Sequence, residues 1–320
     1  MNRTYINEVQ KEIGNTVKVQ GFIENLRNSK YMAFIVLKDI TGKLQITVEK
    51  EDHPDLVGTI DQLTPDSVIT VTGKVVENDY VKMGGIEMIP EAIEIESIAN
   101  ALPIVRKEIA ATKKKKAVER SSIDQRIDYR WIDLRTDENQ LMFKAQSCFV
   151  NAMRKFLLDR NFIEIHTPKL IAAASESGSE VFKVDYFDRN AYLAQSPQFY
   201  KQMAMAAGFE RIFETGPVFR AEKSYTNKHA TEFSGFDLEF SYITSYKDVM
   251  AMEEQLLKAG LQAVKDVYGD QIQELFGKEV IVPTTPFPVM SLAELYTELE
   301  REFGYQIPES EHGDLTTEAE

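Results

Sequence analysis

FRAEKSYTNKHATEFSGFDLEF, running from Phe219 to Phe240, reads as a strand, a polar loop and a returning strand. Val218 and Phe219 lead in, Lys223 to Thr231 carry charge and turn-forming residues, and Phe233 to Phe240 return with largely apolar spacing. Such a hairpin sets Arg220 and Glu222 on one face where it begins and brings His229, Glu232 and Phe233 back opposite them. A guanidinium forks onto phosphate oxygens, an aromatic face stacks on a flat base, and carboxylates take an amine or organise a phosphate-bound metal. The set suits a nucleotide. A solvated hairpin with a capped charge pair reads the same from FRAE alone, so the flanking sequence decides.

Upstream, YLAQSPQFYKQ supplies Gln195, Ser196, Pro197, Gln198 and Lys201, and SESGSEVF, Ser175 to Phe182, is a small, flexible, acidic run containing Glu176. Between Glu138 and Leu158 the residues Met142, Ala145, Phe149, Ala152, Met153, Phe156 and Leu157 recur at helical spacing. A strand, FIEIHTPKLI, is expected next, with Pro168 towards its end. Beyond Ser241 the pattern predicts a long helix over Tyr246 to Val267, a strand over Glu279 to Val282 and a helix over Ser291 to Phe303, before an acidic tail from Pro308.

FRAE, a loop, then KHATEF and GFDLEF resemble motif 2 of the class II aminoacyl-tRNA synthetases, and the likeness is strongest to the aspartyl branch in its archaeal and eukaryotic form. The helix, strand and proline resemble motif 1, which builds the dimer interface in that class and so implies a homodimer. QSPQ matches the aspartyl signature, and SESGSEVF resembles the loop that closes over the amino acid there. The resemblance implies two-step acyl transfer. The carboxylate of L-aspartate attacks the α-phosphorus of ATP with Mg²⁺ bridging the phosphates, and the adenylate passes its acyl group to the 3′ end of tRNA(Asp). Arg220 is the implied catalytic residue, stabilising phosphoryl charge. It binds ATP together with Glu222, His229, Glu232 and Phe233, with Phe233 on adenine and His229 near the γ-phosphate. Lys228 stands where relatives often carry Arg. Aspartate falls to Glu176, Ser196, Gln198, Lys201 and Asp237, of which Glu176 and Asp237 orient the amino group.

Lys201 carries the choice of amino acid. Aspartate and asparagine are almost isosteric, so charge must separate them. A partly buried ammonium pairs with a carboxylate, and stranding it costs roughly 3 to 5 kcal/mol, on the order of a hundredfold to a few thousandfold in binding. That suffices without an editing site. Asparaginyl relatives lack a lysine at the matching position. A surface lysine on a helix is the plainer alternative.

Residues 1–104 alternate as short strands, near Thr16 to Glu24, Tyr31 to Lys38, Leu44 to Val48, Ser67 to Val76 and Glu87 to Ser97, with a helical insertion near Asp55 to Leu63. Five such strands suggest a small closed barrel of the OB-fold type, whose open face commonly stacks single-stranded bases. By the resemblance, Arg27, Phe34 and Gln45 lie where the aspartyl enzymes read the anticodon; core burial is the alternative for Phe34. Residues 105–136 form a hinge carrying Lys113 to Lys116, Arg120, Arg126, Arg130 and Arg135. This basic run suits phosphate contact or a solvated linker.

The expected architecture is α+β: a five-stranded OB barrel over 1–104, the hinge over 105–136, and over 137–320 a class II synthetase catalytic domain with an antiparallel sheet and flanking helices. The family's third motif falls beyond Glu320, so the catalytic domain is expected to be C-terminally incomplete and the chain alone impaired. The expected metal ligands lie in that part, and no metal residues are assigned. Asparagine–tRNA ligase activity, charging of tRNA(Asn) as well, and a non-catalytic RNA-binding relative remain open. The balance of 37 basic against 51 acidic residues gives −14 and favours small-molecule chemistry with local basic surfaces. A single cysteine, Cys148, no run long enough for a membrane span and no signal-peptide core point to the cytoplasm.

Overall fold

The computed structural model describes residues 2–108, 117–175, 181–221, 230–316 and 318–319. Glu176, Glu222, His229, Lys228 and Lys113 to Lys116 lie outside the described residues. The chain forms two compact units, Met1–Asp133 and Leu134–Glu320.

The first unit is a closed barrel of β1 (Thr16–Asn28), β2 (Met32–Lys38), β3 (Lys43–Glu49), β4 (Val68–Glu77) and β5 (Ile86–Ser97), with the short helix α1 (Val57–Ile60) between β3 and β4. The order is β1-β2-β3-β5-β4; β3 and β5 run parallel and the other pairs antiparallel. Alternation decides which side chains enter the core. In β2, Ala33, Ile35 and Leu37 are buried, whereas Phe34 and Val36 face outward. Phe34 is therefore not a core residue: its neighbours in sequence fill the barrel and the strand's period of two turns it out. Asp39 shapes the β2–β3 turn, where its Oδ1 accepts from the backbone N–H of Thr41 at 2.7 Å and of Gly42 at 3.0 Å. At Gly73 a Cβ would lie 2.4 Å from the Ile89 carbonyl oxygen, so only glycine permits the approach of β4 to β5 at that bulge. Beyond the barrel come α2 (Ile123–Asp128) and α3 (Arg130–Asp133). The arginines of this stretch are not simply solvated, since Arg120, Arg126 and Arg130 approach the fully buried Asp133 at 3.7, 3.5 and 3.3 Å.

The second unit opens with α4 (Asp137–Leu158), capped by the Thr136 hydroxyl. Then follow β6 (Ile163–Glu164), β7 (Leu170–Ile171), β8 (Lys183–Tyr186), β9 (Arg189–Leu193), α5 (Gln198–Ala206), β10 (Arg211–Phe219), β11 (Glu232–Phe240), α6 (Tyr246–Phe276) and α7 (Leu292–Phe303). Among the described residues two three-stranded sheets result, β11-β10-β6 and β7-β9-β8. The expected strand FIEIHTPKLI is in fact two short strands in different sheets, and β6 runs parallel to β10. Pro168 has no N–H to donate, and the Thr167 N–H is taken by the Glu214 side chain, so the ladder breaks there. The strand expected over Glu279 to Val282 does not form: no described strand pairs with it, and an extended segment without a ladder is not a strand. Conversely, α6 continues past Val267 to Phe276 and ends at Gly277, whose φ is 63°.

The core of this unit joins Met153 and Leu157 of α4, Phe162, Phe213 of β10 and Leu256 of α6. Met142, one of the residues that recur at helical spacing, is 49% exposed, and Phe143 beside it is 50% exposed. Among the described residues, no helix is long and apolar enough to cross a membrane.

Candidate active site

The β10–β11 hairpin is the floor of the site. Its register sets Phe219 opposite Glu232, Val218 opposite Phe233, Glu214 opposite Asp237 and Ile212 opposite Glu239. A cleft of about 350 Å³ lies over it, lined by Lys169, Gln195, Ser196, Glu214, Arg220, Phe233 and Asp237 among others. Arg220, Phe233, Ser196 and Asp237, four of the sequence-predicted residues, thus share one cavity. The Arg220 guanidinium carbon stands 5.5 Å from the centroid of the Phe233 ring. Its buried Nε has no hydrogen-bond partner among the described residues, which marks a donor suited to an incoming anion.

Lys201 lies on α5 and is 6% exposed. Residues i and i+2 of a strand share a face, so Asp237 and Glu239 of β11 both turn towards α5. The Lys201 ammonium bonds Asp237 Oδ1 and lies 3.3 Å from Glu239 Oε2. The surface-lysine alternative is thereby overturned, because α5 packs this face against the hairpin. Gln198 opens α5, where its backbone N–H donates to Ser196 Oγ at 3.3 Å, and Glu232 is exposed at the start of β11; neither side chain lines the cleft.

Three contributors carried no predicted role. Glu214 is 3% exposed and accepts from the Thr167 N–H at 2.9 Å, the Thr167 hydroxyl at 2.7 Å and Lys169 Nζ at 2.9 Å. Burial pushes its carboxyl up, but hydrogen bonds from Thr167 and Lys169, with the lysine's charge, outweigh that and hold it below the ordinary glutamate value. Glu239 is readable in retrospect from Asp237 by the period of two. Gln195, 1% exposed, accepts from the Ser175 N–H at 3.2 Å and so fixes the last described residue before Glu176.

In the barrel unit, Arg27 pairs across from Phe34, and Phe34 from Thr47, on the outer face. Gln45 sits on the neighbouring rung, its Nε2 donating to Thr47 Oγ1 and Glu87 Oε2, each at 3.1 Å. Asn78 Nδ2 also donates to Glu87, at 2.7 Å.

Residues 122–318 match the family model of class II tRNA synthetases (D, K and N), and residues 17–96 match the OB-fold nucleic acid binding domain. The chain belongs to the class II aminoacyl-tRNA synthetases. Within that family it is 41% identical to an aspartate–tRNA(Asp/Asn) ligase of Methanopyrus kandleri over 96% of this chain and 68% of the relative. It is also 41% identical to an aspartate–tRNA(Asp) ligase of Picrophilus torridus over 81% of this chain and 58% of that protein. Among solved structures, asparaginyl-tRNA synthetase of Pyrococcus horikoshii complexed with asparaginyl-adenylate superposes with a TM-score of 0.86 at 27% identity, over all of this chain and 71% of that one. Aspartyl-tRNA synthetase of Entamoeba histolytica gives 0.80 at 28%, over all of this chain and 66% of the other. The chain thus spans about two thirds of the length of these family members.

The residues described do not fit a divalent ion in this synthetase. Glu214, Asp237 and Glu239 are each engaged by a lysine, and no group of three carboxylate, histidine or cysteine ligands gathers among the described residues.

Proposed function

We propose that the chain is the aspartate-activating part of an aspartate–tRNA ligase. The observation that carries the proposal is the buried Lys201 ammonium, which does not itself line the Arg220–Phe233 cleft but bonds Asp237, which does. In the first step an oxygen of the substrate α-carboxylate forms a bond to the α-phosphorus of ATP, and the bond to the departing pyrophosphate breaks. Arg220 neutralises the charge on the phosphoryl oxygens, and Phe233 offers its ring to adenine. Lys201 takes the side-chain carboxylate, while Asp237 and Glu176 take the α-ammonium and Ser196 and Gln198 frame the rest. His229, Glu222 and Glu232 complete the ATP contacts. In the second step a terminal ribose hydroxyl of tRNA(Asp) attacks the activated carbonyl and AMP leaves. Both steps rest on positioning and electrostatics. Mg²⁺ accompanies ATP in this reading, and no step is routed through it.

The barrel face of Arg27, Phe34 and Gln45 reads the anticodon, with residues 1–104 as its domain, 105–136 as the hinge and 137–320 as the catalytic part. The relative named for both tRNA(Asp) and tRNA(Asn) favours charging of tRNA(Asn) as well. The exposed Met142 and Phe143 of α4 support a homodimer through the motif 1 helix, and the working compartment is the cytoplasm.

The test is exchange of pyrophosphate into ATP with aspartate and asparagine supplied separately. Exchange with aspartate alone is expected, at the reduced rate expected of this chain by itself, and Lys201→Met should lower it further by about a hundredfold or more. Exchange with asparagine alone would overturn the substrate, and exchange with neither would refute activation by this chain.

A further inference from the structure

Lys201 faces two carboxylates, and they are not equivalent. Asp237 lines the cleft, whereas Glu239, one period further along β11, does not. Each of the two side chains is 30% exposed against 8% for Lys201. The resident cluster therefore carries one more negative than positive charge. An ammonium has three N–H donors; Asp237 and Glu239 face two of them, and a substrate carboxylate at the third adds a further negative charge beside Asp237 unless Asp237 turns to the substrate's own ammonium.

We propose that Glu239 is a positioning residue for amino-acid selection, holding the Lys201 ammonium in place while Asp237 turns from the lysine to the substrate. The inference rests on the aspartate reading of the site. An α-amino acid with a side-chain carboxylate satisfies the exchange at both ends: its ammonium engages Asp237, and its carboxylate takes the donor that Asp237 releases on Lys201. Glu239 then remains as the resident partner behind the lysine, so the ammonium neither follows Asp237 nor swings towards solvent. A diacid without an amine leaves Asp237 on Lys201 and brings its own carboxylate against that uncompensated negative charge. An amide substrate brings the amine but cannot replace the lost carboxylate on Lys201. Selection is then for an amine and an acid together, and Glu239 keeps the acid-reading group aimed.

Two measurements on the full chain test this, with Glu239→Gln as the variant of nearly the same size and Glu239→Ala as the variant lacking a polar group. The first is independent of activity: the rate at which an amine-reactive reagent labels Lys201, followed by peptide mass spectrometry, with exposed Lys155 as the reference. Labelling of Lys201 should rise several-fold in Glu239→Ala and less in Glu239→Gln. Unchanged labelling in both overturns the positioning role. The second is pyrophosphate exchange, in which Glu239→Ala should raise the KM for aspartate by about tenfold or more while kcat moves little. Glu239→Gln should recover part of the loss. An equal fall of kcat for every variant would assign Glu239 a purely structural role and overturn the proposal. If the unaltered chain activates neither amino acid, the aspartate reading fails, and labelling still decides whether Glu239 holds Lys201.

Discussion

Replacing Glu214 by glutamine should loosen the floor of the site without touching the barrel. The carboxylate is almost wholly buried and gathers the Thr167 N–H, the Thr167 hydroxyl and the Lys169 ammonium. An amide keeps one acceptor for the Thr167 N–H, so that bond survives as a neutral one. It loses the charge that faces Lys169 and turns an NH₂ towards a hydroxyl or an ammonium. Hydrogen bonds to charged groups contribute about 1.5–3 kcal/mol each, and the 22% exposure of Lys169 lets water recover part of the loss. The net cost is about 2–3 kcal/mol, roughly thirtyfold to 160-fold in a local opening equilibrium. Amide hydrogen exchange followed by mass spectrometry reads it directly: peptides covering β6 and β10 should exchange faster by that order, and barrel peptides should not change. The acid dependence supplies a second check. Because the folded carboxyl is held below its ordinary value, Glu214 stabilises the fold above the unfolded-state pKa, and this contribution is lost as pH falls through the lower folded value. Glu214→Gln should lack that component of acid sensitivity. Equal protection of β6 and β10 in both proteins at neutral pH would refute the reasoning.

Phe34→Ala removes an outward-facing ring and should weaken tRNA(Asp) binding by about fivefold to a hundredfold, from ~1–3 kcal/mol of stacking per base, with the salt slope unchanged; a loss under twofold would remove Phe34 from the interface. Gly260→Ala and Gly269→Ala should move stability in opposite directions on the same helix. At Gly260 a Cβ would meet Phe149 at 2.6 Å and Met153 at 3.1 Å, an overpacking cost of about 1–3 kcal/mol against ~1 kcal/mol of helix propensity. At Gly269 the nearest atom is 3.7 Å away, so only the propensity gain should appear in urea unfolding. Opposite signs are the expected result, and a gain at Gly260 would contradict the close crossing of α4 and α6.

The barrel was legible because its period of two recurs in all five strands, and a strand with one buried face tolerates no slip of register. The hairpin around Arg220 and the helices α4, α6 and α7 were legible from the same kind of local periodicity. The broken strand at Thr167 was not. Phe162 to Ile165 read locally as the start of one strand, and what takes the Thr167 N–H out of a ladder is a carboxylate from Glu214, 47 residues away in sequence. Which apolar residues of α4 stay exposed, Met142 among them, was not legible, because a helix with apolar residues on more than one side does not say which of them its neighbour covers. The strand expected at Glu279 failed because a short apolar run forms a strand only where another strand accepts its hydrogen bonds.

The motifs by themselves determined the family of chemistry, since FRAE, TEF and QSPQFYK name residue types that suit phosphates, a base and a carboxylate. Tertiary structure alone decided which charges meet. Pairing of β10 with β11 set Glu214 beside Asp237, and packing of α5 against the hairpin buried Lys201 between Asp237 and Glu239. Charge pairing acts over a few ångströms of space and is strong only where water is excluded. Residues that meet in this way are separated in sequence by 23 to 38 positions, a distance across which no local pattern specifies contact.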